Sequence, residues 1–175
     1  MKRVDVRKYV LCALFVALIC VATMLITIPA PIVGYIHIGD VFVILAPWAL
    51  GPVFGAVAAG LGSALSDLLL GYTVYAPATF IIKALVALIV YLLFKAFTKR
   101  RKGGLILRLI SALVAELFMI LGYFAYEFIL YDLPTASAGI LLNGIQAAFG
   151  AIAGALVATI LAKYSLLDNL GLKLH

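Results

Sequence analysis

Charge is scarce in this chain. Thirteen Lys and Arg and seven Asp and Glu make up 11% of 175 residues, against 67% hydrophobic. A soluble domain carries roughly 25% charge, so water is excluded as the main solvent. Cysteine is almost absent too. Cys12 and Cys20 lie eight apart in one apolar run, about 12 Å along a helix, too far for a disulfide. With only two histidines, His37 and His175, neither a metal nor a redox motif can be assembled. No GxxxxGK[ST] phosphate loop, nucleophile elbow or HExxH pair occurs. The chain therefore cannot use ATP by itself, and the expected class is not an enzyme and has no cofactor. The long runs of Leu, Ile, Val and Ala also lack the two-residue alternation of membrane-barrel strands. Basic clusters in so little soluble surface suit anionic lipid rather than nucleic acid.

What is present is apolar length. At about 20 residues per span, the chain holds five or six crossings in a single domain, 1–175. The expected fold is an all-α integral membrane protein, a six-helix bundle with helices near 9–28, 40–51, 53–70, 77–97, 105–130 and 138–162. The first run follows Lys2, Arg3, Arg7 and Lys8 like a signal peptide, but is too long for one and is read as a retained span. Except for Lys83, every Lys and Arg falls in the amino terminus, in 95–108 or in the tail; the loops 29–39, 71–76 and 131–137 hold none. By the positive-inside rule both termini are cytoplasmic and those loops lie outside. Residues 41–70 must then cross twice, yet thirty helical residues reach only about 45 Å. Helices 2 and 3 are accordingly expected to be short and to turn at Gly51-Pro52. Small-xxx-small seams at Gly51–Gly55 and Gly150–Gly154 favour close helix packing.

Polar residues inside such spans usually pair or line a cavity. Thr79 and Lys83 are four apart. Glu116, Tyr123 and Glu127 share one helix face, as do Asn143 and Gln146. With His37, Asp40 and Tyr75 these form a candidate small-molecule site in the outward half. A mostly apolar cavity with a few directed polar groups has that form. Other readings remain open: Lys83 as a structural ion pair with Asp67, Glu116 bonded to backbone, and Tyr72, Tyr75, Tyr123 and Tyr126 as an interfacial aromatic belt.

Three stretches carry a family resemblance: GYIHIGD after the first span, LGPVFGAVAAGLGSALSDLLLGY, and YAPATFIIK. Together they resemble the substrate-binding S component of energy-coupling factor (ECF) vitamin transporters. Within that family the block 34–83 looks most like members for hydroxymethylpyrimidine or pyridoxine, with riboflavin-type members as the alternative. The resemblance implies a prokaryotic cell-membrane protein that binds a vitamin or precursor from outside, under the loop after helix 1. It implies partners too, a membrane coupling (T) subunit and two ATPase subunits, and toppling of the S component to release its cargo. Family members often dock through an AxxxA pattern on helix 1, which Ala13 and Ala17 match. A solitary facilitator or channel working without ATPases is the rival reading.

Overall fold

The computed structural model describes residues 6–29, 35–99 and 104–164. Lys2 and Arg3, the loop centre 30–34, the basic run 100–102 and the tail with Lys173 lie outside the described residues. Six helices and one hairpin follow in order: α1 (Val6–Leu25), β1 (Thr27–Pro29), β2 (Tyr35–His37), α2 (Asp40–Leu50), α3 (Pro52–Leu70), α4 (Ala76–Thr98), α5 (Leu105–Leu130) and α6 (Leu133–Lys163). All but α2 are long and apolar enough to cross a membrane. A helix satisfies its backbone donors and acceptors internally, as a hydrocarbon solvent requires.

Three features differ from the sequence expectation. Helix 3 is not short: α3 runs 19 residues, and only α2, with 11, falls below a span. The turn between them is at Gly51 as expected. There φ is +84°, a conformation that favours glycine, and Pro52 opens α3 where its missing N–H costs nothing. The stretch 29–39 is not plain loop. Thr27–Pro29 and Tyr35–His37 pair antiparallel, with Ile28 opposite Ile36, and α1 ends at Leu25 to make room. Finally, α6 starts at Leu133 rather than 138. Asp132 caps it by accepting a 2.8 Å hydrogen bond from the Thr135 N–H, and Pro134 sits in the first turn. The expected loop 131–137 shrinks to two residues.

Glycines on α6 hold the short α2 in place. A Cβ at residue 150 would come within 2.7 Å of Asp40 Cβ, and one at 154 within 3.1 Å of Ile44 Cβ. Ile19, Val43, Ile44, Val86, Val90 and Met119 fill the core between them. Each end of the bundle has its own character. At one, the hairpin, the turn 71–75 and the α5–α6 connection meet. At the other, the Arg108 guanidinium stacks 5.1 Å from the Trp48 ring and 4.6 Å from that of Phe94, and Tyr9 packs edge-on against Phe54. Leu14, Val21, Leu117 and Ile152 are among many apolar side chains left facing outward.

Candidate functional site

A cavity of about 560 Å³, its open mouth included, lies under the hairpin. Of the ten side chains expected at a site, seven line it: His37, Tyr75, Thr79, Tyr123, Glu127, Asn143 and Gln146. They come from the hairpin and the upper turns of α4, α5 and α6, because the helical stripes seen in the sequence all turn the same way at this end. Tyrosines wall the space. The rings of Tyr35 and Tyr72 lie 4.8 Å apart and the Tyr35 and His37 rings 5.3 Å apart. Tyr123 donates a 3.1 Å hydrogen bond to Thr79 Oγ1.

Asp40, Lys83 and Glu116 do not line the cavity; they lie buried behind its wall. Lys83 is bonded to Asp40, neither facing the cavity as expected nor paired with Asp67 as the alternative reading had it, and both side chains are fully out of solvent. Lys83 Nζ also lies 2.8 Å from Met119 Sδ. The reason is positional. Gly150 lets the first turn of α2 press against α6, which brings Asp40 to Lys83 and leaves Asp67 for another partner. That partner is Tyr35, whose hydroxyl donates to Asp67 Oδ1 at 2.5 Å. Glu116 sits one turn before Met119 on α5, within the field of Asp40 and Lys83, and neither of its oxygens has a partner among the described residues.

Gln146 joins this buried layer to the cavity. Its Nε2 donates to Asp40 Oδ2 at 2.7 Å, and its Oε1 accepts from the His37 backbone N–H at 3.1 Å. The His37 ring is held by the Gly39 N–H, which donates to Nδ1 at 3.1 Å. Burial keeps the imidazole neutral, pulling its pKa down to about 4, so the single ring proton resides on Nε2. For the Tyr35 hydroxyl, burial and then the neighbouring Asp67 charge push ionisation far above the usual phenol range. It remains a donor.

Tyr35, Ser63, Gly139 and Leu142, none of them singled out in the sequence, also line the cavity, as do Asp67 and Tyr72, which the sequence left open as an ion-pair partner and a belt residue. Ser63 and Asp67 were findable, four apart on one face of an otherwise apolar α3, the same signal that marked the other helices. Gly139 carries no such signal. It matters through what it leaves open, since a Cβ there would lie 2.5 Å from Glu127 Oε2. Tyr126 stays outside the cavity, its hydroxyl donating to the Val74 carbonyl. Ala13 and Ala17 are exposed on α1, away from the cavity lining.

Comparison with known proteins agrees with this architecture. Residues 3–163 match the model of the family described as "ECF-type riboflavin transporter, S component". A Pyrococcus woesei protein described as "Uncharacterized protein in gap 3'region" is 35% identical over 146 residues, covering 83% of this chain and 95% of that one. A solved structure, described as "Structure and mechanism of the S component of a bacterial ECF transporter", superposes with a TM-score of 0.75. It covers 93% of this chain and 99% of that one at 21% identity, a likeness of fold. A match across nearly all the described residues settles the family: this chain is a multi-pass membrane protein belonging to the ECF-type riboflavin transporter S component family.

Proposed function

We propose that the chain captures riboflavin from outside the cell and hands it to an ATP-driven coupling module. The family is one of transporter subunits, not enzymes. The observation that carries the choice of cargo is the family match over 3–163, which favours the riboflavin type over the hydroxymethylpyrimidine or pyridoxine type suggested by block 34–83. The cavity chemistry supports it. A flat tricyclic flavin offers faces to stack on Tyr35, Tyr72 or Tyr123, and its ribityl chain brings hydroxyl donors to Asn143, Asp67 and Glu127. In this reading the hairpin end faces outward, both termini face the cytoplasm, and the exposed Ala13 and Ala17 meet the coupling subunit. Asp40, Lys83 and Glu116 act from behind the wall by holding Gln146 and the floor of the site.

Titration of detergent-purified protein with riboflavin tests this directly. The expected result is saturable quenching of flavin fluorescence as the ring stacks on tyrosine. Pyridoxine or hydroxymethylpyrimidine binding in its place would return the cargo to the other branch, and no vitamin bound at all would sink the capture role. In cells carrying the coupling module, the pair Ala13→Trp and Ala17→Trp is expected to abolish uptake while leaving binding intact. Uptake at the parent rate would remove α1 as the docking face, and uptake without any coupling module would favour a facilitator.

A further inference from the structure

The cavity contains two carboxyl groups and, among the described residues, no lysine or arginine. Asp67 on α3 and Glu127 on α5 are each only 3% exposed. Asp67 Oδ1 is bonded to Tyr35; the Thr79 hydroxyl lies close to Asp67 and that of Tyr75 close to Glu127, but among the described residues none makes a well-formed hydrogen bond to Asp67 Oδ2 or Glu127 Oε2. Nearby positive charge is already committed. Lys83 lies behind the wall against Asp40, with the further carboxyl of Glu116 beside that pair. Arg108 is at the far end between Trp48 and Phe94, and His37 is neutral. Residues 30–34, the rest of the hairpin loop, carry no charge in sequence. Buried acceptors of this kind nearly always have a partner, and here the open side is the cavity.

We propose that Asp67 and Glu127 set the charge selectivity of the site. They take hydroxyl or N–H donors from an uncharged or cationic ligand and turn away the phosphate monoester of the same compound. A phosphate brings about 1.5 to 2 negative charges at neutral pH. It would meet two carboxyl groups with no guanidinium or free ammonium to receive it, and specificity often comes from such a built-in mismatch. Glycine at 139 serves the same end by leaving room for the Glu127 carboxyl group, which a Cβ there would displace. The inference rests on the proposed function only for the choice of ligand pair; the charge of the cavity stands apart from it.

Two readouts separate the ideas. The first needs no vitamin. Leu142, an apolar lining residue, is changed to Cys in a Cys12→Ala, Cys20→Ala background. It is then reacted with methanethiosulfonates of similar size bearing either a trimethylammonium or a sulfonate, each rate normalised to a simple thiol. The cationic reagent is expected to be favoured by about tenfold or more, and Asp67→Asn or Glu127→Gln to shrink that preference. The second compares riboflavin with its 5′-phosphate, expected to bind about tenfold or more weakly, with the gap narrowing in the same variants. No reagent preference, or one unchanged in both variants, overturns the proposal, as does equal binding of vitamin and phosphate. A clear reagent preference in a protein that ignores riboflavin would sustain the charge selectivity and sink the cargo assignment. Should Asp67→Asn fail to fold through loss of its Tyr35 bond, Glu127→Gln alone decides.

Discussion

Lys83→Met is expected to destabilise the bundle by about 3–5 kcal/mol, the cost of stripping one partner from a buried ion pair. Lys83 and Asp40 have no solvent contact, so the abandoned carboxylate cannot recover hydration. Gln146 would remain its single side-chain donor, and the nearby Glu116 adds only a further carboxyl group. Changing both members, Lys83→Met with Asp40→Leu, is expected to restore much of the loss, because a buried pair and a well-packed apolar pair differ little in net stability. Restoration should be incomplete, since Gln146 Nε2 then loses its acceptor. Thermal unfolding of the detergent-purified protein compares the three. A Lys83→Met protein melting with the parent would show that the pair contributes little to the fold.

Gln146→Leu is expected to weaken ligand binding by about 10–100-fold, with a smaller effect on folding. The amide spans two fixed partners, an acceptor in Asp40 and a donor in the His37 N–H, so its orientation is set. The bond to the Asp40 carboxylate contributes about 1.5–3 kcal/mol and the neutral one from the His37 N–H about 0.5–1.5 kcal/mol. Leucine would fill the volume but release the hairpin strand and leave Asp40 Oδ2 unpaired. Gln146→Glu should be as damaging, because it sets one carboxylate against another. Calorimetric titration measures both. Unchanged affinity in the leucine variant would mean that the hairpin is held by its contacts to α1 and α6 without this bridge.

Much of this is readable in the sequence, for physical reasons. Apolar runs exceeding 20 residues permit little besides spanning helices, so α1, α4, α5 and α6 were legible. Gly51-Pro52 announced its own turn. The polar lining was legible wherever residues recurred every third or fourth position in an apolar background, as Tyr123 and Glu127 or Asn143 and Gln146 do. Depth within the wall was not. Lys83 and Thr79 share a helix face, yet one reaches the cavity and the other a buried carboxylate, and that depends on where Gly150 lets α2 settle. The hairpin was hidden because its strands are three residues each and depend on pairing across a loop. The early start of α6 was hidden for a different reason. A single Asp132 cap, with Pro134 in the first turn, reads as turn chemistry until the helix behind it is seen.

The placement of α2 also bears on the order in which the chain can be assembled. Asp40 waits 43 residues for Lys83 and 106 for Gln146. Until α4 has been synthesised its carboxylate has neither of its side-chain partners, until α6 it has only Lys83, and an 11-residue helix is too short to span a bilayer alone. The second helix in the sequence is therefore among the last to reach its final depth. The cavity, whose hairpin strand is tied by the same Gln146, is completed only when the sixth helix arrives.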